Sequence, residues 1–99
     1  MSEAREYIPV IQLCNHYKVE ITLFNEMQNI GLIEITTYKE QLCIPEERLG
    51  DLEKMIRIHR DLQVNLEGID VVFNLLQKVD ELKNELNIYK NKLRLKEGL

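Results

Sequence analysis

Cysteine, proline and glycine are scarce in this chain of 99 residues, at two, two and four respectively. Cys14 and Cys43 stand 29 positions apart with no CxxC spacing, which excludes a thioredoxin-type redox pair and leaves a single disulfide disfavoured by the expected reducing compartment rather than by spacing. In a reducing compartment they read as small buried hydrophobes rather than as a bridge. With few prolines and glycines and no low-complexity tract, the chain is expected to be mostly regular structure with short connections. No stretch approaches the ~18 apolar residues of a membrane-spanning helix. The first residues, MSEAREY, carry acids where a secretory leader has a basic start and an apolar run, so a cytoplasmic location is expected. The chain is too short for a catalytic domain with a separate cofactor domain. Bases are also in deficit, 13 against 17 acids, a net charge of −4 and a pI near 5.2. That is not the electrostatic footprint of a nucleic-acid binder.

The chemistry of catalysis is missing as well. No nucleophile motif, phosphate loop or paired metal-ligand spacing occurs, so no catalytic residue, metal ligand, cofactor or small-molecule substrate is assigned, and an enzyme is not expected. Cys14-x-His16 is the one thiol–imidazole neighbourhood. On a helix, residues i and i+2 diverge by about 200° and do not converge on one site. His59, between Arg57 and Arg60, reads as a solvated side chain.

What is present is helical patterning. Val10, Leu13, Cys14 and Tyr17 recur at i, i+3, i+4 and i+7, one apolar face of a helix over 9–17 with Pro9 at its first position. Leu23, Phe24, Met27 and Ile30 repeat the pattern over 20–30, and Gly31 follows as a left-handed terminator. Two short helices joined by a tight turn make a helix-turn-helix. Residues 32–44, LIEITTYKEQLCI, predict two short strands at about 32–36 and 41–44 with Tyr38–Glu40 at the turn, a small wing. Pro45-Glu46-Glu47 opens a third helix running to about Leu62, with Leu49, Leu52, Ile56 and Leu62 inward. Gly50 inside it costs roughly 1 kcal/mol against alanine, which a close packing contact could offset. Asn65 is a good N-cap for the last helix.

That last helix has the clearest period. Val72, Leu75, Val79, Leu82, Leu86, Tyr89 and Leu93 alternate by three and four, a heptad seam of about three repeats. A helix of about 30 residues spans ~45 Å, more than a small domain covers. Self-association through this seam as a homodimer is therefore expected, since an exposed apolar stripe of this length invites aggregation. The charges at flanking positions do not choose between parallel and antiparallel pairing. The reading is mainly α: a winged helix-turn-helix domain over 1–64, with a small β-hairpin wing, and a long coiled-coil dimerisation helix over 65–99.

The charge is divided unevenly between these parts. Residues 1–53 hold four bases (Arg5, Lys18, Lys39, Arg48) and ten acids, a net of −6; residues 54–99 hold nine bases and seven acids, a net of +2. Helix 20–30, in the place of a groove-reading helix, has Glu20 and Glu26 and no lysine or arginine. The wing has Lys39 against Glu34 and Glu40. Such a surface repels phosphate where a helix-turn-helix would meet DNA.

The order helix-turn-helix, wing, two helices and coiled coil resembles the MerR family of regulators, with KVEITLFNEMQNIGLI where that family has its recognition helix. The family's Arg-Tyr-Tyr run falls on Asn25, Glu26 and Met27, and its wing Tyr-Arg has no counterpart in Lys39–Ile44. The chain is more similar to the CbpM-type chaperone modulators, which are MerR-like. The similar residues are Cys14 with His16, Asn25-Glu26 ahead of Met27, Gly31 through Glu34, Arg57, Leu62 followed by Gly68-Ile69, and the long helix LLQKVDELKNELNIYKNKL, together covering about residues 7–95. This resemblance implies binding to the J-domain of a DnaJ-like co-chaperone and inhibition of its work with an Hsp70-type chaperone. It also implies a basic J-domain helix as the target. The acidic N-terminal half is the matching surface, and Glu20, Asn25 and Glu26 are the candidate contacts. The alternative is a MerR-type DNA-binding regulator using the later bases Lys54, Arg57, Arg60, Lys90, Lys92, Arg94 and Lys96.

Overall fold

The computed structural model describes residues 6–98. Its elements run β1 (Tyr7–Pro9), α1 (Val10–Tyr17), α2 (Ile21–Ile30), β2 (Thr36–Tyr38), β3 (Gln41–Pro45), a 3-10 turn (Glu46–Arg48), α3 (Leu49–Asp61) and α4 (Leu66–Gly98). The strands form one antiparallel sheet in the order β1-β3-β2. This is the mainly helical, winged helix-turn-helix architecture that the periodicity predicts.

Strand β1 is not foreseen by the pattern. It pairs with β3 in the register Tyr7↔Pro45, Ile8↔Ile44 and Pro9↔Cys43. Two expectations about proline shift with it. Pro9 is the last strand residue and the N-cap of α1, with ψ 137°, not the first helical residue. Pro45 likewise ends β3 and precedes the 3-10 turn, so α3 starts four residues later than Pro45. The locked φ of proline fits an extended residue as readily as a first helical turn, and pairing with a remote strand decides between them.

Between α1 and α2 the turn needs only Lys18, Val19 and Glu20. Lys18 takes the left-handed conformation, φ 58°, and Val19 N–H returns to the Cys14 carbonyl at 3.0 Å. Gly31, φ 94°, ends α2 as expected. Its N–H reaches the Gln28 carbonyl at 3.0 Å, and Leu32 N–H reaches that of Met27 at 2.9 Å. This paired closure satisfies the terminal carbonyls and turns Leu32 into the core.

Because Leu32 serves that closure, the first wing strand lies later than 32–36, at Thr36–Tyr38. The hairpin turn is the pair Lys39 and Glu40, both left-handed at φ 51° and 65°. Two left-handed residues match the twist of the flanking strands, and they set the register Tyr38↔Gln41.

The core lies where α1, α2, α3, β3 and the first turn of α4 bring together Val10, Leu13, Phe24, Met27, Ile44, Leu52 and Ile69, all nearly inaccessible. Cys14 and Cys43 are buried free thiols. On α3 the buried stripe is Leu52, Met55 and Ile56; Met55 joins the expected Leu52 and Ile56, and Leu49 is half-buried. Leu62 is past the last helical turn and 69% exposed, so its apolar spacing does not carry it inward. A Cβ at Gly50 would touch nothing within 4 Å, so no close contact offsets its helix cost.

Asn65 caps α4, its Oδ1 accepting the Gly68 N–H at 2.8 Å. The chain divides into two compact units, one through Ile69 and one from Asp70 onward. In the second unit, Leu75, Val79, Leu82, Leu86, Tyr89 and Leu93 are 43–66% exposed and Val72 is half-buried. Leu76 extends the same apolar surface, while Ile88 and Leu95 lie outside the 3-4 seam and are also exposed. Among the described residues no helix is long and apolar enough to cross a membrane.

Candidate protein-binding surface

Helix α2 holds its place through Phe24 and Met27, which are buried, and presents Ile21, Thr22, Asn25, Glu26, Gln28 and Asn29 to solvent. These exposed residues carry one carboxylate and no base. Glu20 stands before the helix as its N-cap, extended at φ −89° and ψ 154°, without a side-chain capping bond. The three predicted contacts do not form one cluster. Glu20 is about 9 Å along the axis from Glu26 at 1.5 Å per residue, and Asn25 and Glu26 point about 100° apart. Asn25 and Glu26 belong to the exposed face; Glu20 marks its beginning.

Of the three bases that a DNA-binding reading would use on α3, Arg57 and Arg60 have intramolecular partners, whereas Lys54 is exposed. Arg60 Nη2 donates to the Tyr17 carbonyl oxygen and, at 3.5 Å, to that of Lys18, tying down the end of α1. Arg57 pairs with Glu53 at 3.8 Å, and Arg48, at the start of α3, pairs with Asp51 at 3.7 Å. In the wing, Lys39 lies over the Tyr38 ring, 5.4 Å from its centre. Exposed ion pairs contribute little stability; Glu53 and Asp51 offset the charges of Arg57 and Arg48, whereas the carbonyl partners of Arg60 and the ring under Lys39 carry no net charge.

Tyr17 sits at this corner. Burial pushes its phenol above the ordinary 10.0, and the Glu53 carboxylate adds to the effect. Burial likewise pushes the Cys14 thiol above 9.0. Cys14 faces the core and His16 faces solvent, its ring edge against Tyr17 at 4.8 Å. The two do not converge.

His59 departs from expectation. It is half-buried, not freely solvated, and Nδ1 is 2.8 Å from the Val64 carbonyl oxygen, a bond in which Nδ1–H donates. This closes the corner between α3 and α4. Beside it is an open cleft of about 340 Å³, lined by Glu26, Asn29, Ile30, His59, Asn65, Leu66 and Glu67. Of these only Glu26 was a candidate on sequence grounds. Asn65 was legible as a cap, but nothing in the local pattern links residues 26–30 to 59–67.

A helix pair with a tight turn, followed by a β-hairpin wing on a three-stranded sheet, defines a winged helix-turn-helix protein. A family described as MerR HTH family regulatory protein matches residues 8–91, and the chain belongs to that family. No curated protein and no solved structure matches it.

Proposed function

We propose that this MerR-family protein acts by binding another protein: it occupies the J-domain of a DnaJ-like co-chaperone and blocks its cooperation with an Hsp70-type chaperone. The observation that carries this reading is the exposed face of α2, which has a carboxylate and neutral polar groups where a DNA reader needs bases. Engagement of Arg57 and Arg60 within the fold supports it. The resemblance to chaperone modulators supplies the partner class. An acidic modulator that covers a basic J-domain helix excludes the chaperone from the same surface, and complementary potential speeds the encounter and orients it. The protein binds and occludes; no catalysis is assigned to it. We further propose that it works as a homodimer through the exposed apolar seam of α4.

The test is a calorimetric titration of the purified protein with the J-domain at low and moderate salt. Binding that weakens with salt is expected. Glu20→Lys with Glu26→Lys should weaken it by about tenfold, roughly 1.4 kcal/mol, with the circular dichroism spectrum unchanged. No binding at either salt concentration sinks the proposal. So does a specific, salt-sensitive gel-shift complex with DNA from its own locus accompanied by no J-domain binding.

A further inference from the structure

We infer that the cleft at the end of α2 is a receptor for one lysine or arginine side chain on a partner's helix. This rests on the reading of a basic protein partner, and it deepens it: of that reading's candidates it keeps Glu26 and joins it to His59 and Glu67, which the reading did not include. The cleft joins Glu26 from α2 with Glu67 from the first turn of α4. No lysine or arginine lines it. Neither carboxylate makes a hydrogen bond or ion pair among the described residues, whereas Asp51 and Glu53 are matched by Arg48 and Arg57. Two unmatched acidic residues lining one concavity favour a cation there.

The rest of the lining defines what kind of cation fits. Ile30 and Leu66 supply apolar surface, which suits an aliphatic stem. Asn29 offers an amide, and His59, with Nδ1 committed to the Val64 carbonyl, leaves Nε2 without a partner. At about 340 Å³ the space is at the small end of ligand sites. It accommodates a side chain but not a helix backbone. A long methylene stem ending in a positive head matches each part: stem against Ile30 and Leu66, head between the carboxylates. An anionic guest is disfavoured, because the capping N–H of Gly68 is already taken by Asn65 and Glu67 stands beside it.

The test uses the full-length protein and a helical peptide bearing two lysines one turn apart, titrated into the millimolar range and followed by backbone amide NMR. Saturable shifts centred on Glu26, His59 and Glu67 are expected. The same peptide with norleucine in place of both lysines should bind about tenfold more weakly, as should the lysine peptide to Glu26→Gln with Glu67→Gln, on the scale of lost charge-assisted hydrogen bonds. Glu81→Gln, in the second unit, should match the unaltered protein. Because Glu67 also lies at a helix start, Asn29→Arg serves as a second variant; it fills the cleft mouth with a resident cation and should abolish the shifts. Shifts elsewhere, no saturation, equal binding of the norleucine peptide or an unaffected double variant overturns the inference. Titration with the J-domain separates the two proposals. Lysine-peptide binding at the cleft without J-domain binding removes the co-chaperone reading and keeps the cleft. Equal J-domain binding by the unaltered protein and the double variant does the reverse.

Discussion

Alanine at Gly68 should destabilise the protein, while alanine at Gly50 should stabilise it. Both glycines lie in the first turn of a helix, Gly50 second in α3 and Gly68 third in α4, where alanine keeps part of the advantage of about 1 kcal/mol it has in a helix interior. At Gly50 a Cβ meets nothing within 4 Å. That part of the propensity gain should therefore appear, about 0.5–1 kcal/mol. At Gly68 the Cβ would stand 2.8 Å from Val64 Cγ1 and 3.0 Å from Asn65 Oδ1. Neither neighbour gives way easily. Val64 is β-branched and stiff at χ1, and its carbonyl is held by His59 at 2.8 Å. Asn65 Oδ1 is the cap acceptor for Gly68 N–H at 2.8 Å, so moving it forfeits about 1 kcal/mol of capping. Overpacking adds roughly 1–3 kcal/mol. After subtracting the propensity gain, the net loss at Gly68 is about 1–3 kcal/mol, and each kcal/mol moves Tm by about 4–8 °C in a domain of this size. Thermal and urea unfolding at one fixed protein concentration, to hold any association constant, would read both signs. Val64→Ala should shrink the Gly68→Ala loss, because the two side chains compete for the same space. A Gly68→Ala protein as stable as the original, or no coupling to Val64, refutes the reasoning.

The wing offers a gain of the same kind: Lys39→Asn with Glu40→Gly places the preferred pair in a turn whose two residues are already left-handed, and urea unfolding should show about 1 kcal/mol more stability; no gain would mean the turn is not built that way in solution. Arg60→Met keeps the stem but removes the bonds to the carbonyls at the end of α1, and a loss of about 1 kcal/mol is expected in the same assay. Cys14 and Tyr17 both hold their protons more tightly folded than unfolded. The folded state then binds more protons above about pH 9, so stability should fall from there upward, and Tyr17→Phe should flatten the part of that decline above pH 10; melting curves from pH 8 to 11 with no slope contradict this. Leu82→Asp with Leu86→Asp should halve the sedimenting mass if the exposed seam of α4 pairs two chains, and an unchanged mass rules the seam out.

Helix α2 separates what holds it in the fold from what it shows to solvent. The scaffold holds α2 through Phe24 and Met27, which are buried whatever the outward residues are. The outward residues are free to vary without cost to the core. Function on such a scaffold depends on which side chains the outward positions carry; here Asn25, Glu26 and Asn29 place one carboxylate and no base there.

Whatever depends on a few neighbouring residues was determined by the sequence alone. The buried faces of α1 and α2, the left-handed stop at Gly31, the Asn65 cap and the 3-4 spacing along α4 are all settled by backbone geometry within one or two helical turns. The acidity of the N-terminal half is also local. What joins distant segments was decided only by the tertiary structure. β1 is three residues long, too short to show alternation, and exists because β3 lies beside it. That pairing also made Pro9 and Pro45 strand ends rather than helix starts. Leu62 has apolar spacing yet lies exposed, since the helix ends before it. The cleft that unites Glu26 with His59 and Glu67 spans some forty positions of chain. Helical periodicity carries no information across that distance; only the packing of α2 against the α3–α4 corner brings those groups onto one surface.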